Sequence, residues 1–247
     1  MKASPEAQLR LLELADLDTE LNRLNHRRRT LPEHAELAQL GERAAKVKDA
    51  ITIADTNLSD LDRDLSRAEK DVEQVRVRID KDNQRLDSGS VSNARELESL
   101  QSEVASLKKR QGDLEEVVLD LMERREAAQA LRDGAGTEAA AVAADTEAVT
   151  ARRDAALGEI EEQAVKATTA RAAAAADVPA DLLALYDKLR GSLGGMAAAP
   201  LRRGQCGGCR EMLSTVEINA IRAAAPDEVV RHEECGRILV RTADSGL

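Results

Sequence analysis

The sequence predicts a mainly α protein: a long antiparallel coiled-coil hairpin followed by a small β module at its C-terminal end. Three observations lead there. The 247 residues include no Phe, no Trp and a single Tyr, yet 43% are hydrophobic and 33% charged. A globular domain of this length normally fills its core with rings, whereas long helices bury aliphatic stripes. Apolar residues recur at heptad spacing over most of the chain. All the cysteines fall in one late stretch, between Cys206 and Cys235.

Ser4-Pro5-Glu6 has the form of a helix start, with a capping hydroxyl, a proline at the first helical position and an acid in the first turn. Leu14, Leu17, Leu21 and Leu24 then recur at steps of three and four. Pro32 interrupts them, because it lacks an N–H and restrains Leu31 away from the helical region. The pattern restarts at once. Leu37, Leu40, Ala44, Val47, Ile51, Ala54, Leu58, Leu61, Leu65, Ala68, Val72, Val75, Ile79, Asp82 and Leu86 hold a/d spacing, and only Asp82 breaks the apolar rule. That is about seven heptads, beyond the three or four that identify a coiled coil. At 1.5 Å per residue, positions 33–87 would extend roughly 80 Å.

Ser88, Gly89, Ser90 and Ser92 supply turn material, and Asn93 with Glu96 resembles a capping box that restarts a helix. Leu97, Leu100, Val104, Leu107, Leu114, Val118 and Leu121 resume the heptad, with Gln111 and Arg125 at polar a positions. The stripe then thins into alanine. Val142, Val149, Leu157, Ile160 and Val165 are left to form a seam, and Gly134 and Gly136 weaken the helix locally. The two arms, 5–87 and 94–176, are each 83 residues long. Equal arms around a polar turn near 87–93 predict an intramolecular hairpin in which residue i lies near residue 181 − i. Leu14–Leu24 would then face Leu157–Ala167, and the break at Pro32 would face about Val149. An intermolecular parallel coil is the alternative; the turn argues against it. Pro179 then starts a short helix with an apolar face at Leu182, Leu183, Leu185, Tyr186 and Leu189, which Gly191, Gly194 and Gly195 end.

Cys206-x-x-Cys209 and His232-x-x-Cys235 form two short knuckles. A structural zinc closes four positions with Cys and His, and a two-residue spacer lets both members of a knuckle approach one ion. Gly207, Gly208 and Gly236 suit tight turns. "MAAAPLRRGQ", "EVVRH" and "RILVR" can supply the strands of a zinc ribbon. A module of about 50 residues without aromatics depends on its metal for much of its folding free energy. His232 is the ligand with alternatives: Asp227, Glu233 or water could take its place. A redox CxxC would sit near a βαβ pattern, which is absent here. A catalytic zinc would leave one position open, and this site has four candidate ligands.

Arg202, Arg203, Arg210, Arg231 and Arg237 surround the knuckles. Brought together, they would make an anion-binding or partner-binding face; dispersed, they are solvated charge. From Met196 onward there are seven Arg, no Lys and seven acids, so the net charge of −10 resides entirely in the preceding residues. That balance argues against coating nucleic acid by bulk charge. The module has no ring on which to stack a base. The N-terminal stretch has no apolar leader core, no apolar run is long enough to span a bilayer, and three thiols in one segment point to a reducing cytoplasm. His26 and His34 flank the Pro32 break and receive no role.

Three stretches carry a family resemblance: "SVSNARELESLQSEV", "VPADLLALYDKLR" and "CGGCREMLSTVEINAIR…VVRHEECGRILVR". The whole chain resembles the bacterial zinc-ribbon coiled-coil family. That resemblance implies a long hairpin followed by a four-cysteine ribbon, and non-enzymatic adaptors; some members are linked to an alternative sigma factor, flagellar gene expression or RNA. Nothing in this sequence selects those roles. Where the family usually has the first cysteine of a second CxxC, this chain has His232, which keeps zinc binding with one less negative charge. The expectation is therefore residues 1–190 as the coiled-coil hairpin with its linker helix and 191–247 as the ribbon. The ribbon would hold one structural zinc on Cys206, Cys209, His232 and Cys235. The protein would be a non-enzymatic cytoplasmic scaffold for a protein partner, without membrane or small-molecule substrate. The alternative is a nucleic-acid-binding regulator acting through the ribbon arginines.

Overall fold

The computed structural model describes all residues from Met1 to Leu247. The helices are α1 (Pro5–Arg29), α2 (Pro32–Asp87), α3 (Ala94–Ala176), α4 (Ala180–Ser192) and α5 (Thr215–Ala223). The strands are β1 (Ala198–Arg202), β2 (Gln205–Cys206), β3 (Val230–Arg231) and β4 (Ile238–Arg241). None of the helices is long and apolar enough to cross a membrane. The fold is a long helical hairpin with a small C-terminal sheet. It divides into two compact units, Glu36–Val149 and Met1–Ala35 with Thr150–Leu247. The division expected at 190/191 therefore cuts through the second unit.

In the unit Glu36–Val149, α2 and α3 run antiparallel. Three ion pairs between the arms join residues whose numbers sum to 181: Arg43–Glu138, Arg78–Glu103 and Arg85–Glu96. Arg125–Asp62 and Arg132–Asp55 sum to 187, a reach of less than two turns. Leu61, Ala68, Leu121 and Ala128 form the central cluster of the seam. Asp82, the single charged a/d residue, is buried and accepts from Arg78 Nε at 2.9 Å, while Arg78 Nη2 donates to Glu103 at 2.9 Å. The charged layer is thus satisfied by one guanidinium shared between arms. At the tip, Asn93 Oδ1 accepts from the N–H of Arg95, and Glu96 pairs with Arg85. The expected Asn93/Glu96 box does not close, because Glu96 finds a cation on the opposite arm. α3 passes Gly134 and Gly136 without a break.

In the other unit, Ser4 caps α1 by accepting from the N–H of Ala7. The break falls at Thr30–Leu31. Leu31 packs with Leu24 and Ile160, about three turns beyond the expected Val149. The pairs across α1 sum to 186–189: Arg27–Glu159, Arg10–Asp177 and Asp18–Arg171. Val165, expected in the seam, is 56% exposed; Ala164 and Ala167 turn inward instead.

The sheet has the order β2-β1-β4-β3, with β1 and β4 parallel and the two outer pairs antiparallel. Both faces of its central strands are buried, by strict alternation. Ala198, Ile238 and Val240 meet Leu11, Leu14, Leu182, Tyr186 and Leu189 of α1 and α4. Ala199, Leu201 and Leu239 meet Leu213 and Ile221 on the α5 side. Ala197, Ala198 and Ala199 are small enough for the helices to approach closely. This packing is why α1 belongs with the sheet.

Candidate metal centre

Each outer strand pair delivers one knuckle. β2 ends at Cys206, and the chain turns through Cys209 until the N–H of Arg210 donates to the Cys206 carbonyl at 2.8 Å. β3 ends beside His232. The N–H of Gly236 donates to the His232 carbonyl at 2.8 Å, and the His232 N–H donates to the carbonyl of Arg237 at 3.0 Å. Gly236 has φ 72, as the second turn requires. Gly207 and Gly208 do not take the left-handed conformation; Arg210 does, at φ 65. Gly208 is needed for a different reason, since a Cβ there would lie 2.6 Å from Arg237 Cδ.

The parallel β1–β4 pairing brings the knuckles together. One donor atom from each of Cys206, Cys209, His232 and Cys235 lies within 4.8 Å of every other. Cys206 Sγ is 4.0 Å from Cys235 Sγ, and His232 Nδ1 is 3.4 Å from Cys209 Sγ and 3.1 Å from Cys235 Sγ. Around a tetrahedral zinc, sulfur–sulfur edges come to about 3.8 Å and nitrogen–sulfur edges to about 3.6 Å. Three soft thiols and an imidazole at these separations fit one structural zinc, with Nδ1 as the histidine donor. Such an ion supplies a crosslink between two otherwise two-residue strand ends.

Burial pushes the Cys206 thiol up to about 11, against the pull of the Gly208 and Cys209 N–H groups on its sulfur. At Cys235 burial acts the same way but is outweighed. The Arg237 N–H, then His232, the Arg237 side chain and Cys209, hold that thiol down at about 6. The alternatives to His232 do not join the cluster. Asp227 pairs with Lys2 at 3.1 Å, and Glu233 is exposed.

α5 is an element the strand reading of the ribbon missed. Ser214 and Glu217 close a capping box: the Glu217 N–H donates to Ser214 Oγ, and the Ser214 N–H donates to Glu217 Oε2. The signal was in the sequence, as Ser-x-x-Glu before an apolar run. Glu217 Oε1 also accepts from the N–H of Glu233 at 3.3 Å, tying α5 to the histidine knuckle. The Ser214 N–H, foremost, holds the Glu217 carboxyl below its usual range.

A family model for the CT398-like coiled coil hairpin domain matches residues 14–194. The chain belongs to the CT398-like coiled-coil hairpin family. A second model, for a C4-type zinc ribbon domain, matches residues 205–239, so this family member carries His232 within a ribbon of four-cysteine type. An uncharacterized protein of Mycobacterium tuberculosis H37Rv is 38% identical over 241 residues, covering 98% of each chain. The solved structure of a Mycobacterium smegmatis protein has 35% identity and TM-score 0.86, over 98% of this chain and 100% of that one. CT398 from Chlamydia trachomatis shares the fold of the CT398-like chain at 19% identity and TM-score 0.70, over 96% of this chain and 98% of that one.

The five arginines expected around the knuckles do not act alike. Arg231 Nε donates to the Gly236 carbonyl at 2.8 Å, and Arg237 Nε donates to the Met196 carbonyl at 3.0 Å. Both hold the ribbon backbone. Arg202, Arg203 and Arg210 are exposed. A further polar centre had no sequence expectation. Asp18 is fully buried and accepts from Tyr186 Oη at 2.7 Å, Arg171 Nε at 2.7 Å and Arg190 Nε at 2.9 Å. It locks α1 to α3 and α4 beneath the sheet. Burial, then the bond to Asp18, raises the Tyr186 phenol above its ordinary value.

Proposed function

We propose that the chain is a non-enzymatic adaptor of the cytoplasm, a coiled-coil hairpin whose zinc ribbon is offered to a protein partner. The closed set of four donors carries this reading. A catalytic zinc keeps a position for water, whereas three cysteines and a histidine here fill a tetrahedron. Cys206 and His232 are buried, while Cys209 and Cys235 are half-buried. The buried carboxylates outside the centre are matched as well, Asp18 by two arginines and a phenol and Asp82 by Arg78. Leu61, Ala68, Leu121 and Ala128 of the hairpin line the seam between its arms.

The test is crosslinking in cells. A photo-crosslinking residue in place of exposed Glu211 in the ribbon, or Gln101 in the hairpin, should capture a reproducible protein from the ribbon position. Capture of nucleic acid alone, or of nothing at either position, overturns the reading. The runner-up, a nucleic-acid regulator, draws support from the exposed Arg202, Arg203 and Arg210. It predicts binding that falls steeply with salt.

A further inference from the structure

Resting on the adaptor reading, we propose that the β1–β2 turn is the docking face of the ribbon and that it takes an acidic, partly aliphatic protein segment. Arg202, Arg203 and Arg210 would grip its carboxylates around an apolar floor at Met212.

Gln205 is the centre of this face. It is the register partner of Arg202 across the strand pair and of Met212 on its other side. Its side chain donates to the carbonyl of Arg210 at 2.7 Å. Arg203 and Gly204 form the two-residue turn leading into it. The side chains of Arg202, Arg203 and Arg210 enter no hydrogen bond or ion pair within the chain. By contrast, Arg231, Arg237 and Arg241 are all engaged with backbone carbonyls. Asp16 and Asp244 share a hollow with Arg202 without reaching ion-pair distance. Between Leu201 and Leu213 the only acid is Glu211.

The backbone adds a second, independent observation. Arg203 has φ 48 and Arg210 has φ 65, the only non-glycine residues of the chain in the left-handed region. That conformation is costly for a residue with a Cβ and is usual for glycine. Both positions therefore carry a guanidinium at the expense of a strained backbone, a pattern that concentrates at binding sites. Met212 is 65% exposed, and its Cε with Ile218 Cδ1 closes over the Arg203–Gly204 turn.

Unpaired guanidinium groups select carboxylate or phosphate. The adaptable methionine beside them suits aliphatic side chains. The ribbon offers no ring for stacking a base, and the exposed Met212 gives an aliphatic side chain a contact that a phosphate polymer would not use. The balance favours an acidic peptide over RNA.

The test uses the zinc-loaded full chain and a short fluorescent peptide of repeating Glu-Leu-Glu-Glu, with a Gln-for-Glu control peptide and an oligouridine of similar length. The decisive variant is Arg203→Gly with Arg210→Gly. Glycine suits both backbones, so zinc content and melting should be preserved while the guanidinium groups are lost. The acidic peptide should bind the unmodified chain and lose about tenfold or more in affinity with the double variant. The Gln peptide should not bind, and Met212→Ser should weaken binding severalfold. Failure of the acidic peptide to bind, equal binding to the double variant, or tighter binding of the oligouridine through the same arginines each overturns the proposal. If the peptide fails while the Glu211 position still captures a protein in cells, this docking face falls and the adaptor reading stands.

Discussion

His232 supplies the nitrogen of the donor set from a buried position. Replacing it with Ala removes one donor, so zinc per chain measured by atomic absorption should fall from about one after dialysis against a weak chelator. His232→Cys should retain the metal. The two cysteine-bearing knuckles were legible because ligand spacing is local. Asp18 was not. It lies one turn beyond Leu14 on the buried face of α1, but a lone aspartate on a helix reads as solvated, and its partners stand 153 and 168 positions away. The single tyrosine of the chain was the one hint. Asp18→Ala leaves two guanidinium groups without their shared carboxylate and should cost about 3–5 kcal/mol, read as a fall in the denaturant midpoint. Asp18→Asn, which keeps an acceptor, should cost less.

At the level of elements, the heptads placed the helices almost to the residue, because a/d periodicity survives any tertiary context that keeps two helices together. What periodicity did not carry was the inward turn of Ala164 in place of Val165, and α5. The parallel β1–β4 pair was also beyond reach, since two short strands far apart in sequence are brought into register by the knuckles and the helices beneath. Gly134 and Gly136 belong to the helical arm α3, and a Cβ at either would meet nothing within 4 Å. Gly134→Ala and Gly136→Ala should therefore each raise stability by about 0.5–1 kcal/mol, measured as a higher denaturant midpoint. A fall at either position would mean that the arm needs its local flexibility.

For the molecule as a whole, composition announced the class, while the assignment of α1 to the sheet required three dimensions. Chelating the metal should speed amide exchange across Ala198–Arg241 and leave the Leu61–Leu121 layer protected, because that layer packs on its own cluster. Uniform loss of protection would refute this. The alkaline limit of stability follows from Tyr186. Its folded-state pKa is raised, first by burial, so its contribution is complete below the unfolded value of about 10 and is lost as pH rises above it. Melting temperature should fall above about pH 10, and Tyr186→Phe should flatten that fall while lowering stability at neutral pH through the lost bond to Asp18.

The N–H of Ala3 donates to the carbonyl of Asp227 at 2.7 Å, and that of Val229 to the carbonyl of Met1 at 3.1 Å. Position 3 and position 227 are 227 minus 3, or 224, residues apart. At ordinary translation speeds the ribosome needs roughly 10–45 s to traverse that interval. For most of it Asp18 lacks Arg171, Tyr186 and Arg190, and the face of α1 that meets Ile238 and Val240 stays unmatched to the end. A segment made well before the ribbon is thus among the last to acquire its full set of native partners, and a nascent chain stalled before Cys206 would expose that face to chaperones.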